Sequence, residues 1–446
     1  MTAASVTVRM YNVGFGDSFV VTLTQDDRVW RMLVDCGVHW QGQARPIAET
    51  VQAIIADLKA ASPDGVPRLD VVAATHHHAD HIAGFARDEW EQVEVSQVWL
   101  PFVEDGSDPT AVALRTRQEL TAQRLLGLMS NHPALGASRG TASFKAAQEF
   151  AVNSSRNAEA ADRLLGRRGR RFATVPTIRF LPSLTPAENR ISVGGRGATV
   201  HVLGPSRDPA ELKLMDPPAN VAWLRLDAGD PEASDLAAVE PLFDDDYVVA
   251  DPRRLSPDLK RARGSLRFTL DEQLLAASSL LERAVNNTSL FFVLEVFGTR
   301  FVFPGDAQHG AWQHVLGDPQ GRKLLAGAAF YKVGHHGSHN ATPKVFVEEI
   351  WRNGGYAMLP YGLVERWKKT IPKPELLAAL SAHEHPLVRA DQPEAVTPQV
   401  TVHEDLWTEI SFEVEEDRPP PGFVSDADAP AVPAADTAGA TGASPS

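Results

Sequence analysis

The alternation of apolar and polar positions predicts three β-strands within the first 35 residues. SVTVRMYNV, FVVTLTQ and RVWRMLVD alternate in this way, and the turns GFGDS and QDD separate them. Helical spacing follows over about residues 46–61, and LDVVAATH is then a continuous apolar run. A short run rich in valine is typical of a strand that is buried on both faces. VSQVWLP predicts a further strand, which ends near Pro101.

The rest of the chain mixes helical and strand patterns. About residues 103–175 are mostly helical in pattern, and IRFLP and ATVHVLGP then return the chain to a sheet. A Pro- and Asp-rich stretch from about residue 205 predicts a surface insertion, and LDEQLLAASSLLERAV near its end predicts an amphipathic helix. A hairpin (SLFFVLEV-FGT-RFVFPGD), strands (FYKVG, YAMLP), helices (PKVFVEEIW, PELLAALSAH) and late strands in QVTVHEDLWTEISFEVEE follow. The pattern therefore predicts an α/β (α+β) protein.

The composition is that of a globular protein. Of the 446 residues 43% are hydrophobic and 22% are charged, which excludes a collagen or a coiled coil. We expect one folded domain over residues 1–416, with insertions at about residues 103–175 and 205–285 that cover the active site and set substrate size. Residues 417–446 are acidic and rich in Pro and Ala, and they predict a disordered tail.

The net charge of −14 lies mostly near the C-terminal end. Residues 401–446 hold ten acidic residues and one base, Arg418, so the first 400 residues carry a charge of only −5. An almost neutral body does not exclude a polyanionic substrate.

The sequence gives no sign of export or of a membrane span. No run of about 18 apolar residues is present, and the first strand begins without a signal sequence. The single cysteine, Cys36, excludes an intramolecular disulfide and fits a reducing compartment. We therefore expect a cytoplasmic protein that does not contact a membrane.

A histidine-rich cluster, THHHADH, directly follows the apolar strand that ends at residue 74. A loop that leaves a strand can turn His76 and His78 to one ion and Asp80 and His81 to a second. Imidazole and carboxylate ligands suit zinc, manganese or iron, and the set is too rich in nitrogen for magnesium or calcium. The alternative is a patch of surface histidines without a metal.

Two further elements follow predicted strands. KVGHHGSH contributes His335 and His336, and Gly305-Asp306 ends the strand RFVFP. Asp306 alone would be read as a turn residue, but beside two histidine clusters it is the natural carboxylate to bridge two cations. Because all three elements leave strand ends, one sheet edge could gather them.

These motifs resemble the metallo-β-lactamase superfamily of metal-dependent hydrolases. THHHADH, FPGDA and KVGHHGS occur in the order of that superfamily. NVGFGDS, LVDCG and NNTSLFFVL are similar to one branch, typified by the hydrolase domain of competence DNA-uptake (ComEC-type) proteins. The resemblance extends discontinuously over about residues 5–360. It implies an αββα sandwich with a one- or two-metal site at the sheet edge.

The resemblance also implies roles for single residues. One metal would be held by His76 and His78, a second by Asp80, His81 and His335, with Asp306 between the two. His335 is preferred to His336 as a ligand because it comes first after the strand, and His336 would then either support the ligands or assist the leaving group. Residues expected to support the ligands are Asp17, Asp35, Thr75, Asn286 and Ser338. Turn and capping roles are the alternative for Asp17 and Asp35, as are plain loop hydroxyls for Thr75 and Ser338.

One departure concerns the first metal. Most of the superfamily has a further histidine before the Gly-Asp strand, whereas this chain reads Val285-Asn-Asn-Thr-Ser289. The ComEC-type branch shares this feature. His201 is a conceivable substitute, although a lone histidine in a strand is more often structural.

The expected cofactor is one or two divalent ions, zinc before manganese or iron. A metal lowers the pKa of its bound water toward about 7, which gives a hydroxide nucleophile, and Asp80 or Asp306 could orient it. The first hypothesis for the substrate is a phosphodiester, in a nucleic acid or a nucleotide. Basic runs support it, with solvated surface as their alternative; they are Arg156, Arg163, Arg167, Arg168, Arg170, Arg171, Arg253, Arg254, Lys260, Arg261, Arg263 and Arg267. Ester, lactone or amide hydrolysis and a metal-bound scaffold without activity are the other hypotheses.

Overall fold

The computed structural model describes residues 3–116, 157–214, 284–352, 354–365 and 367–416, together with Gln118, Leu120 and Gln123. The predicted tail at residues 417–446 lies outside the described residues. So do most of the insertion predicted at 205–285, almost all of its amphipathic helix, and the central part of the insertion predicted at 103–175.

Fifteen strands in the described residues form two mixed sheets. The strands are β1 (Ala3–Tyr11), β2 (Ser18–Gln25), β3 (Arg28–Cys36), β4 (Arg68–Ala73), β5 (Glu94–Pro101), β6 (Thr177–Leu181), β7 (Arg190–Ser192), β8 (Ala198–Gly204), β9 (Phe291–Val296), β10 (Thr299–Phe303), β11 (Phe330–Lys332), β12 (Tyr356–Leu359), β13 (Leu387–Arg389), β14 (Val400–His403) and β15 (Trp407–Glu415). The first sheet has the order β14-β15-β1-β2-β3-β4-β5-β6 and the second the order β13-β12-β11-β10-β9-β8-β7. The strands predicted from alternation and apolar runs are confirmed. The three-residue strands β7 and β13 were too short to predict from a period of two.

The helices lie between the strands in sequence. The α-helices span Ile47–Ala60, Ala79–Ile82, Ala158–Leu164, Pro209–Leu212, His309–Gly317, Pro319–Leu325 and Pro374–Ala382, and residues 109–116 are also helical. Shorter 3-10 turns span Ala83–Ala86, Asp88–Gln92, Phe102–Glu104, Pro186–Asn189 and Gly334–Gly337. The helix predicted for PKVFVEEIW is instead a π-helical turn at Phe346–Ile350. The helices predicted near residues 46–61 and in PELLAALSAH are confirmed.

The main core lies between the two sheets. Alternate residues of the first sheet, among them Val8 and Phe19, pack with Phe292 and Phe303 of the second in one buried cluster. Each sheet also buries its outer face under helices. Ile54 of the helix Ile47–Ala60 belongs to the cluster on the first sheet, and other helices cover the second. The described residues therefore form four layers, helix–sheet–sheet–helix, because central strands such as β4 and β9 bury apolar side chains on both faces.

Parallel strands set the position of the site. β3, β4, β5 and β6 are parallel neighbours in the first sheet, and β10, β11, β12 and β13 are parallel neighbours in the second. The loops that follow β4, β10 and β11 carry the three chemical motifs. A 2.8 Å hydrogen bond from Leu290 N, directly before β9, to Thr75 O, in the loop after β4, joins the two sheets at this edge.

Candidate metal centre

The loop after β4 is held in place by Asp35, the residue before the last of β3. Asp35 accepts hydrogen bonds of 2.7 Å from both the backbone N and the Oγ1 of Thr75, and its Oδ2 lies 2.8 Å from His81 Nδ1. The backbone of Asp35 is left-handed, with φ 56°. A non-glycine residue adopts this conformation only when its surroundings compensate the strain. Three contacts from one carboxylate supply that compensation and turn His81 Nε2 away from β3.

Four side chains from three loops form the donor quartet: Asp80, His81, Asp306 and His336. One ligand atom of each lies within 4.8 Å of the corresponding atoms of the others. His81 Nε2 is 3.1 Å from Asp306 Oδ2 and 3.9 Å from Asp80 Oδ2, and His336 Nε2 is 3.2 Å from Asp80 Oδ2. Three of the four residues are fully buried and Asp80 is partly exposed. Buried carboxylates and imidazoles at these separations are a suitable binding site for a divalent cation.

His76 and His78 form the histidine pair beside the quartet. His76 Nε2 lies 3.1 Å from His78 Nδ1, and both rings are buried. On its other side His76 Nδ1 lies 3.3 Å from Ser289 Oγ. His78 Nε2 is buried and has no hydrogen-bond partner among the described residues. Burial lowers the pKa of His78 to about 3 and that of His76 well below its ordinary value, so both imidazoles are neutral and offer lone pairs at neutral pH.

Lys332 is a buried residue of this centre to which the sequence pattern alone assigned no role. Its Nζ contacts Asp17 Oδ2, lies 3.1 Å from Asp306 Oδ1 and donates a 3.0 Å hydrogen bond to Gly305 O. Burial acts to lower the pKa of Lys332, but Asp17 and Asp306 outweigh it and raise the pKa above its ordinary value. A lysine inside the short apolar strand FYKVG was the available signal, because a lysine in a buried strand needs an acidic partner.

The charges of the site favour a bound cation. Asp17, Asp35, Asp80 and Asp306 bring four carboxyl groups and Lys332 one amine, a formal charge of −3 with neutral imidazoles. Burial raises the pKa of Asp17, against the opposing effect of Lys332. Burial acts to raise the pKa of Asp80, but the hydrogen bond from His336 and the nearby His81 lower it well below its ordinary value. For Asp306 burial is likewise outweighed, by His81 and Lys332. Both carboxylates are therefore ionised at neutral pH, as metal ligands must be.

In the metal-free state, the surrounding carboxylates favour the protonated forms of two histidines. Burial acts to lower the pKa of His81, but Asp306, Asp17 and Asp35 raise it well above its ordinary value. His336 behaves in the same way, since its hydrogen bond to Asp80 and the charge of Asp306 outweigh burial and raise its pKa. A divalent ion could replace these protons, because imidazole must be neutral to bind a metal. The residues present therefore fit a metal site.

The conformation of the loop after β11 determines which of its two histidines belongs to the donor quartet. His335 and His336 are both left-handed, with φ 45° and 51°, so this turn is strained. His336 donates from Nδ1 to Pro360 O at 2.8 Å, which directs Nε2 toward Asp80. The backbone N of His335 donates to Asp306 Oδ1 at 3.0 Å, and its ring lies 3.2 Å from Asn286 Nδ2 and remains partly exposed.

The other predicted residues lie around this centre. The structure brings together His76, His78, Asp80, His81 and Asp306 and places Asp17, Asp35 and Thr75 directly behind them. Asn286 contacts His335, and Ser338 is buried with its backbone N donating to His335 O. His201 lies in β8, with Glu295 Oε1 at 3.9 Å, and is not a member of either donor group. The preference for His335 as a ligand stays a prediction, and the geometry favours His336.

Several arginines of the first predicted basic run make structural contacts. Arg163 is buried and donates to the backbone O of Phe85 and of Arg171, and its Nη2 lies 2.9 Å from Asp88 Oδ1. Arg170 also contacts Asp88, and Arg168 lies 3.5 Å from Asp162. Arg156 and the basic run from residue 253 to residue 267 lie outside the described residues. These arginines therefore mainly stabilise the loop after β5 and the turns near Phe85.

Comparison with known proteins agrees with the geometry. Residues 11–87 match the sequence model of the metallo-beta-lactamase superfamily. This stretch runs from the end of β1 through the loop after β4 and contains THHHADH. No curated protein matches the chain. The match and the four layers show an α/β fold of the metallo-β-lactamase type, as the motifs implied. The ComEC-type branch stays a prediction. In the described part of the chain no helix has the length and apolar character that crossing a membrane requires.

Proposed function

We propose that this protein is a metal-dependent hydrolase that cleaves phosphodiesters. The observation that carries the proposal is the meeting of the histidine pair and the donor quartet at one sheet edge, with an excess of carboxylates that a cation would balance. Members of the superfamily that matches residues 11–87 are usually hydrolases. The phosphodiester is favoured because two cations side by side can hold both the attacking and the leaving oxygen of a displacement at phosphorus.

The geometry supports a specific division of ligands. His76 and His78 would hold one ion through Nε2 and Nδ1, and the donor quartet would hold the second. In this assignment His336 takes the ligand position that the motif order had given to His335. Mixed imidazole and carboxylate donors favour zinc, with manganese or iron as substitutes. With two imidazoles, the first site has fewer protein ligands than the second, so we expect it to bind its ion more weakly.

The residues of the chain have separate tasks in the reaction. A bound divalent ion would lower the pKa of water and stabilise negative charge on the phosphoryl oxygens. Asp80 and Asp306, both ionised, can accept hydrogen bonds from an attacking water and orient it. Asp35 fixes the ring of His81, and Lys332 offsets part of the charge of Asp306. His335 is partly exposed beside the quartet, and its ring can donate a hydrogen bond to the leaving oxygen.

Metal content and phosphodiester turnover test this proposal together. We would measure metal per chain by elemental analysis, and hydrolysis of bis(4-nitrophenyl) phosphate, for the wild type and three histidine variants. His336→Ala should lose metal and activity, whereas His335→Ala should keep its metal and lose activity. The control His403→Ala removes an exposed histidine in β14 that belongs to neither donor group, and it should behave as the wild type.

Three results would contradict the proposal in different ways. Folded wild-type protein without metal would refute a metal-dependent hydrolase. Turnover of esters or lactones without phosphodiester turnover would keep the metal centre and refute the substrate. Loss of metal in His335→Ala but not in His336→Ala would reverse the assignment of the two histidines.

A further inference from the structure

Two loops outside the donor groups bring tryptophans to the edge that holds the metal centre. Trp40 follows β3, and Trp367 follows β12, and these strands belong to the two parallel sets whose ends carry the metal motifs. The two loops contact each other closely. A Cβ on Gly42, in the first loop, would lie only 2.8 Å from Cγ2 of Val364, in the second, so the first loop needs a glycine where it meets the second.

The second loop, residues 360–373, is attached to the metal motif at both ends. Its first residue, Pro360, accepts the hydrogen bond from His336 Nδ1. Near its other end, Pro372 lies so close to Gly337 that a Cβ there would be 2.9 Å from Pro372 Cβ. The position of Trp367 is therefore set by the same turn that sets the position of His336.

Aromatic rings connect the surface with the donor quartet. The ring of Phe15 lies 3.9 Å from that of His336 and 4.8 Å from that of Trp367, centroid to centroid. Trp367 lies 5.3 Å from His39, and His39 lies 6.1 Å from Trp40 at an interplanar angle of 30°. Phe15 and His39 are buried, Trp367 is half-buried, and Trp40 is 57% exposed. The series of rings thus ends in an indole that is open to solvent.

An exposure of 57% is unusual for tryptophan, which is highly buried on average. The ring of Trp40 contributes little to the core, because it is exposed while its neighbours His39 and Phe15 are buried against each other. Leu363, in the second loop, is also 57% exposed. An aromatic and apolar surface of this kind beside a chemical site is suited to bind part of a ligand.

The charge of the second loop indicates which ligand. Residues 361–373 contain four bases and one acid, Glu365. Of the bases, Lys373 is buried and Arg366 lies outside the described residues, which leaves Lys368 and Lys369. Lys368 pairs with Glu365, and both side chains are largely exposed. Lys369 is exposed and has no acidic partner within the described residues. Cationic side chains interleaved with a stacking ring are the combination that binds single-stranded nucleic acid, where lysines contact phosphates and aromatic rings contact bases.

We propose that Trp40 and Trp367 form a stacking surface for an unpaired nucleobase of a single-stranded nucleic acid whose phosphodiester lies in the metal centre. The inference rests on the proposed function and names its substrate class. Stacking needs only a flat π-face, which every base has, so the surface favours single strands without selecting a sequence. A duplex hides its base faces and could not use it.

Binding of matched oligomers tests the stacking surface separately from catalysis. The probes are a fluorescein-labelled oligothymidylate and an abasic oligomer of the same length and charge, both with phosphorothioate linkages that resist hydrolysis, measured by anisotropy with the metal-loaded full chain. The wild type should prefer the probe with bases. Trp40→Ala should weaken oligothymidylate binding by at least about five-fold and leave the abasic probe within about two-fold, while Trp40→Phe keeps most of the preference.

Two control variants separate stacking from charge and from general surface effects. Lys369→Gln should weaken both probes equally and reduce the dependence of binding on salt. Leu184→Ala removes an apolar side chain that is 77% exposed elsewhere, and should change neither probe. Trp40 is exposed, so its variants should unfold at the wild-type temperature, which a thermal melt verifies.

Each outcome has a defined meaning. Equal binding of the two probes by the wild type, or a base preference that survives Trp40→Ala, would overturn the inference even if phosphodiesters are hydrolysed. A changed oligomeric state of Trp40→Ala in light scattering, without loss of base preference, would show that the surface contacts a second copy and would also overturn it. A tryptophan-dependent base preference without turnover of bis(4-nitrophenyl) phosphate in metal-loaded enzyme would support the stacking surface and refute the proposed phosphodiesterase.

Discussion

Lys332 provides the sharpest test of how the charges of the metal centre are balanced. Its side chain is 3% exposed, and the carboxylates of Asp17 and Asp306 that it contacts are each 1% exposed. Lys332→Met keeps most of the aliphatic stem and removes the ammonium, which leaves two buried carboxylates with less compensation. Removing one partner of a buried ion pair costs about 3–5 kcal/mol, because the remaining charge is neither solvated nor paired. We expect a loss of that size in the free energy of unfolding of the metal-free protein.

The pH at which this loss is measured follows from the direction of the pKa shift. The pKa of Lys332 is raised in the folded state, so its stabilising effect is fully present below the unfolded pKa of about 10.4 and disappears only as the pH rises through the folded value. Urea denaturation at neutral pH in EDTA, followed by tryptophan fluorescence, therefore measures the whole effect.

A second variant makes the interpretation testable. In Asp17→Asn/Lys332→Met one of the two orphaned charges is gone, and the double variant should be more stable than Lys332→Met alone by at least about 1 kcal/mol. Lys369→Met, an exposed lysine, should change stability by less than about 0.5 kcal/mol. A loss below about 1 kcal/mol for Lys332→Met, or no recovery in the double variant, would refute the view that Lys332 neutralises the site.

Three further predictions concern the same region. Metal binding should release protons, and the affinity should fall as the pH falls, because the pKa values of His81 and His336 are raised and protonation of these rings competes with the metal. Titration calorimetry that gives the same heat in buffers of different ionisation enthalpy would contradict this prediction. Asp35→Asn should weaken metal affinity by about 10- to 100-fold while the fold is retained, because Asp35 orients His81; competition with a chelator measures this. An equal loss in the control Asp70→Asn would argue against that role. Burial raises the pKa of the Cys36 thiol to about 12, so a thiol reagent at pH 8 should label the unfolded protein but not the folded protein. Prompt labelling of the folded protein would show that Cys36 is accessible.

The sequence determined the fold class and the chemistry of the centre. Alternation and apolar runs were enough to find the strands that carry it, because a strand with one or two buried faces must repeat its apolar residues with a period of two or without interruption. THHHADH was recognisable because five of its seven residues are histidine or aspartate, which are ligand types, and because the loop leaves a strand that the apolar pattern predicts. The short strands β7 and β13 carried no such pattern, since three residues do not establish a period.

Only the tertiary structure shows which side chains from distant parts of the sequence lie together. The choice between His335 and His336 depends on two left-handed residues and on the carbonyl of Pro360, which lies 24 residues further along the chain. Arg163 looked like a phosphate ligand in the sequence, yet it is buried and bound to backbone carbonyls and Asp88, because a guanidinium satisfies several acceptors at once. Trp40 and Trp367 are separated by more than 300 residues, and only the common direction of parallel strands brings them together. The sequence gives the residue types and the spacing of apolar residues directly. The direction in which a loop side chain points depends on contacts with distant parts of the chain.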